Sequence, residues 1–117
     1  MSGTYATLVR EVELHRDDID PAKLVSGSPE IYSAIMSTSY NGKILRGIWK
    51  CTVGTVRDVE EDEMFTVLEG RATVVIENGP TLELSPGVMG EFKKGDKTVW
   101  TIHENLLKTF QITYYTD

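Results

Sequence analysis

From Lys43 onward, apolar and polar residues alternate with the period of a β-strand. Leu45, Gly47, Trp49 and Cys51 interleave with Ile44, Arg46, Ile48 and Lys50, which predicts a strand with Trp49 and Cys51 on one face and Arg46 and Lys50 on the other. Val56 and Asp58 alternate with Arg57 and Val59 in the same way. Residues 64–68 form an apolar run that Glu69-Gly70 stops, and residues 71–77 place Ala72, Val74 and Ile76 on one face. Asn78-Gly79-Pro80 then closes a hairpin into residues 81–84, and Ser85-Pro86-Gly87 turns the next corner. Residues 88–92, 98–103 and 107–115 read as further strands, with Lys93-Lys94-Gly95-Asp96 as a turn after the first of them. Short strands between Gly, Pro and Asn corners predict an all-β antiparallel sandwich or barrel.

The first forty residues follow a less regular pattern. Residues 4–14 mix apolar and charged side chains and read as an edge strand. Asp17-Asp18-Ile19-Asp20-Pro21 carries the helix-start chemistry of an Asp cap followed by proline, so residues 21–25 read as a short helical turn that Ser26-Gly27-Ser28-Pro29 breaks. Residues 31–37 fit either a strand or a turn of helix, and Asn41-Gly42 is a turn signal ahead of the regular region.

The chain has 117 residues, which makes residues 1–117 one domain with room for a sizeable core. Its formal net charge of −6 argues against electrostatic capture of nucleic acid or an anionic membrane, leaving small molecules or other proteins as partners. No apolar run is long enough to cross a bilayer, and charges run through the first twenty residues where a signal peptide would carry an apolar core. Cys51 is the single cysteine, which excludes an internal disulfide and fits a reducing compartment. A cytoplasmic location is the expectation.

The segment GTVRDVEEDEMFTVLEG, residues 54–70, resembles the first signature of the cupin superfamily: a glycine, an H-x-H pair, a glutamate and a closing glycine. Glu63 and Gly70 stand at the last of these spacings, and carrying the register back puts the H-x-H pair on Arg57 and Val59. The segment GVMGEFKKGDKTVWTI, residues 87–102, resembles the second signature. Gly87 and Gly95 match it, Lys93 replaces its proline, Thr98 stands where its histidine belongs and Ile102 replaces its asparagine. More narrowly, GIWKCTVGT followed by EDEMFTVLEG and Trp100 resembles the small cupin branch with ureidoglycine aminohydrolase-like domains. The resemblance covers roughly residues 44–114. It implies a double-stranded β-helix, the jelly-roll barrel of the cupins, with a short N-terminal extension that packs against a neighbouring subunit in a homodimer.

Such a barrel has a pocket lined by alternate residues of facing strands. The candidates are Trp49, Cys51, Arg57, Glu63, Phe65, Thr98 and Trp100, and a register error of one residue would turn a strand's set outward. Glu63 reads either as the carboxylate that coordinates an ion in metal-binding cupins or as one member of the solvated run Glu60-Glu61-Asp62-Glu63. Arg57 reads as a cation that pairs with Glu63 or holds a substrate carboxylate, or as a surface arginine at the mouth. Lys50 and Lys93 read as solvated lysines. Trp49 and Trp100 fit stacking on a ligand or plain core packing, and Cys51 is a nucleophile only with a base beside it. His15 and His103 fall outside the ligand positions, and His103 reads as an exposed residue in a strand-end turn.

Transition-metal sites need roughly three or four protein ligands, so Glu63 alone predicts metal loss and no cofactor; manganese, zinc or nickel would have Glu63 as its one recognisable ligand. Two classes of function follow. One is a cupin that binds a small molecule without a full metal site. The other is a ureidoglycine aminohydrolase-like enzyme, which would use a manganese ion to release ammonia from a ureido compound.

Overall fold

A computed structural model describes residues 3–115. Among the described residues nine strands form one curled antiparallel sheet that closes into a jelly-roll barrel: β1 (His15–Asp17), β2 (Leu24–Ser26), β3 (Ile31–Ser39), β4 (Ile44–Cys51), β5 (Gly54–Val59), β6 (Asp62–Ile76), β7 (Thr81–Leu84), β8 (Met89–Phe92) and β9 (Lys97–Thr113).

The spine is the pair β6 and β9, which run antiparallel from Asp62↔Thr113 to Ile76↔Thr98. Each of them serves both walls. The first half of β6 pairs with β8, and the second half with β7. The first half of β9 pairs with β5 and its second half with β4, which carries β3 and β1 beyond it.

Two pairs of expected strands are therefore single strands. Residues 64–68 and 71–77 fall within β6, apart from Glu77, and residues 98–103 and 107–115 fall within β9, apart from Tyr114 and Tyr115. Gly70 does not end its strand; it bends it, where the β6–β9 register slips between Val67 and Ala72. Its φ is +86°, and a Cβ there would lie 2.1 Å from the carbonyl oxygen of Asn105. No side chain fits that bend, so glycine lets one strand turn from one wall to the other.

The N-terminal reading needs correction. Residues 4–14 contain a 3₁₀ turn, Val9–Glu11, and no strand. Tyr5 and Leu8 are exposed, so no alternating buried face exists to hold a strand there, and Arg10 fastens the segment by an ion pair with Glu69. Farther on, Asp20 accepts a bond from the backbone N–H of Ala22 at 2.9 Å and starts the 3₁₀ turn Pro21–Lys23, after which the chain extends into β2. Residues 31–37 are strand.

The core lies between the walls. Val67, Val74, Leu84, Ile102 and Leu106 fill one end with Cys51, while Phe65, Phe92 and Trp100 pack together toward the other. Gly90 lets the Phe65 ring lie against β8, since a Cβ would sit 2.8 Å from Phe65 Cζ.

Candidate functional site

At the aromatic end the barrel opens into a cavity of about 470 Å³, walled by β4, β5, β6 and β9 with residues 18–23 at its mouth. The period of two along β9 turns Trp100, Lys108, Phe110 and Ile112 toward it, and the same alternation on β6 turns Glu63 inward beside Phe65.

Lys108 is the centre of the site. It is 4% exposed, on β9 between buried Leu106 and half-buried Phe110 of the inward side, and its Nζ donates to Glu63 Oε2 at 2.5 Å. The ammonium also lies 4.8 Å from the ring centroids of Trp49 and Trp100 and 5.1 Å from that of Phe65. These faces carry the negative lobe of the ring quadrupole, so the cage lowers the desolvation cost of the charge, by about 0.5–2 kcal/mol per favourable contact. Removing either member of such a buried pair strands the other.

Glu60 is the second buried carboxylate. Its Oε2 accepts from Thr98 Oγ1 at 2.7 Å and from Trp100 Nε1 at 3.0 Å. The backbone of Glu60 is pinned to the β8–β9 turn, with its N–H donating to Asp96 and its carbonyl accepting from Gly95. Burial pushes the Glu60 carboxyl above its ordinary range, against the pull of the Thr98 and Trp100 donors and of Lys108.

The free oxygens define what the cavity offers. No buried side-chain N or O atom among the described residues lacks a hydrogen-bond partner. Among the described residues Oε1 of Glu60 and Oε1 of Glu63 accept no bond, so neither is sealed from the open space beside it. Two acceptor oxygens and one caged ammonium thus share a cavity with indole walls.

Of the residues read from the sequence, Trp49, Glu63, Trp100 and Arg57 line this cavity. Thr98 lies behind it and acts on it through Glu60. Phe65 is buried and forms part of the Lys108 cage. Cys51 is fully buried in the apolar core, where burial pushes its thiol up to about 12, which keeps the weakly nucleophilic protonated form at neutral pH. Arg57 is exposed at the rim, and the cation on Glu63 is Lys108. Lys50 lies 5.9 Å from the Tyr32 ring, and Lys93 is exposed with Glu91 3.6 Å away. His103 is exposed within β9 rather than in a turn, its Nε2 2.9 Å from Thr73 Oγ1.

The H-x-H register is off by one residue. Val56 and Glu60 are buried whereas Arg57 and Val59 are exposed, so the inward side of β5 and its corner runs through Val56, Asp58 and Glu60. The acidic run is likewise split. Glu60 and Glu63 are buried, and Asp62 accepts the backbone N–H of Lys94 at 2.8 Å. Sequence reasoning missed Glu60 and Lys108. Both could have been found by extending the alternation, from Val56 to Glu60 and backward along β9 from Phe110 to Lys108.

A divalent ion fits this donor set poorly. Among the described residues no group of three or more His, Cys, Asp or Glu side chains could hold a metal, and the inward glutamate already carries an ammonium whose charge opposes a second cation.

No curated protein matches the chain. Several solved structures share its fold. A protein of unknown function from Pseudomonas syringae, of the DUF861 family, superposes with a TM-score of 0.78 at 22% identity over 89% of this chain. This chain spans about half of that protein, 46% of its length. The EutQ protein of Clostridium difficile superposes with a TM-score of 0.72 at 14% identity, over 96% of this chain and 88% of its own. A predicted oxalate decarboxylase from Thermotoga maritima gives 0.71 at 16% identity, over 95% and 100%. At these identities the likeness is one of fold. Residues 38–110, well over half of the chain and including β4 to β8 and most of β9, match the family model of the EutQ-like cupin domain, and the chain belongs to that family.

Proposed function

We propose that this cupin binds a small organic molecule in the cavity between β4, β5, β6 and β9, and that Lys108 supplies there the positive charge that a divalent ion supplies in metal-binding cupins. The observation that carries this reading is the Lys108–Glu63 pair, with side chains 5% and 6% exposed and the ammonium held in a cage of three aromatic rings. A buried ammonium is costly to keep, and a site that only had to be filled would be filled more stably by an apolar side chain. Two free carboxylate oxygens and the indole walls supply polar anchors and an apolar surface, the usual constitution of a small-molecule site.

Elemental analysis of protein purified without chelator, then titration with manganese, zinc and nickel, tests the metal-free half. The expected result is no stoichiometric metal and no saturation at micromolar ion. Stoichiometric metal would favour the other reading, a ureidoglycine aminohydrolase-like enzyme in which Glu63 ligates a Lewis-acid ion. A thermal-shift screen of small polar molecules tests the other half, because a ligand at about a hundred times its dissociation constant adds about 2.7 kcal/mol of stability. Hits should disappear in the Lys108→Met variant.

A further inference from the structure

The charge around the cavity is uneven. Outside the two ion pairs, Lys23–Asp58 and Lys108–Glu63, the charged lining residues are Asp18, Asp20, Glu60, Glu61 and Arg57, four acids against one base. Concave low-dielectric walls focus such a field, so an approaching anion is repelled and a cation is drawn in. The acidic mouth alone would say little, since surface carboxylates are ordinary. The interior adds a second observation. Glu60 is 6% exposed and lines the cavity with Glu63, and the Oε1 of each accepts no bond among the described residues. Both oxygens are acceptors, and among the described residues no donor bonded to them competes with a ligand's.

Donor-rich chemistry therefore suits the cavity, and carboxylate or phosphate chemistry does not. The caged Lys108 could bind one acceptor atom of a ligand, but a whole anion would meet the free oxygens of Glu60 and Glu63 and the acids at the mouth. An ammonium group on the ligand would neutralise the carboxylate that burial leaves least compensated. Hydroxyl groups would meet the second acceptor and Lys108, and ring C–H groups would lie against the indoles.

We infer that the cavity takes a small hydroxyl-bearing organic ammonium compound, whose N–H and O–H groups donate to the free oxygens of Glu60 and Glu63. The inference rests on the metal-free binding reading above and adds the ligand's chemical class.

Three sugars of one ring skeleton but different charge, glucosamine, glucose and glucuronate, test it. Each is titrated into the full chain while the indole N–H signals of Trp49 and Trp100 are followed by NMR. Saturable shifts of the Trp100 signal are expected with glucosamine, at an affinity about tenfold or more above that for glucuronate, with glucose between them. Glu60→Gln, nearly identical in shape, should narrow the gap between glucosamine and glucuronate. Glu61→Gln at the open mouth should narrow it less, and it keeps the test alive should the buried variant fold poorly. Equal or tighter binding of glucuronate would overturn the ammonium inference while leaving a small-molecule site standing. Failure of all three sugars to saturate would also overturn it. The broader reading falls separately, through stoichiometric metal or a small-molecule screen without hits.

Discussion

The same two strands build both ends of the barrel interior, and they build them differently. Toward one end β6 and β9 place Val67, Val74, Ile102 and Leu106 inward, all at 1% exposure or less. Toward the other they place Glu63 and Lys108 inward, almost as deeply buried, with Glu60 at the adjoining corner. Burial at these inward positions is similar on both sides of the Gly70 bend, while the side-chain chemistry changes. Burial at the apolar end lowers free energy, whereas at the charged end it is tolerated only because each group has a partner. The fold does not require the charges, which is why the proposed binding site is assigned to that end.

The comparison is broken most sharply at Lys108. Lys108→Met should destabilise the protein by about 3–5 kcal/mol in chemical denaturation, because Glu63 is left charged and unpaired. Adding Glu63→Leu should restore much of that loss, since two apolar residues of similar bulk replace the pair without an orphan. At the other end Leu106→Ala should cost about 2–5 kcal/mol through lost burial and a cavity, and no single nearby change that removes a polar group should recover it. Recovery at one end and none at the other would establish that the two are held by different forces. Equal behaviour would show that the ion pair is merely packing.

A smaller effect separates the two glutamates. Burial raises the Glu60 carboxyl in the folded chain, so between its unfolded and folded values the native state holds a proton that the unfolded chain has released. Stability contributed by this group must then fall as pH rises above the ordinary carboxyl value of 4.5. Glu60→Gln should flatten that fall when stability is measured from pH 4 to pH 8. A variant with the same slope as the parent would mean that Glu60 titrates as if solvated.

The sequence showed much of this molecule, and its failures have physical causes. Alternation over residues 71–76 was legible because that strand buries one face, and over residues 44–51 the strand itself was legible although Gly47 and Ile48, on opposite faces, are both buried. The continuity of β6 and β9 was not, since Gly70 reads as a stop in sequence and acts as a bend beneath the carbonyl of Asn105. Glu63 was visible from its spacing to Gly70. The inward position of Lys108 could be had from the alternation along β9, but not its pairing, because Glu63 lies 45 residues away and no local pattern joins them. Glu60 was hidden by its neighbours: an acidic run reads as a wet corner, but pinning to Gly95 and Asp96 turns one member inward.

The smallest effect is expected at Arg57, and it tests the register that sequence alone had placed one residue out. Arg57 pairs across the ladder with Val99, and both are exposed, as is Val75 on the same outer surface. It has no ion-pair partner within 4.0 Å among the described residues. Arg57→Ala should therefore change stability by no more than about 0.5 kcal/mol, as surface changes away from specific contacts do. Its neighbour in sequence should behave differently, because Asp58 accepts from Lys23 Nζ and from the backbone N–H of Val59, both within 2.9 Å. Asp58→Ala removes two partners at the mouth and should cost more than Arg57→Ala, by about 1 kcal/mol. A larger loss at Arg57 than at Asp58 would turn β5 over and return Arg57 and Val59 to the inner face.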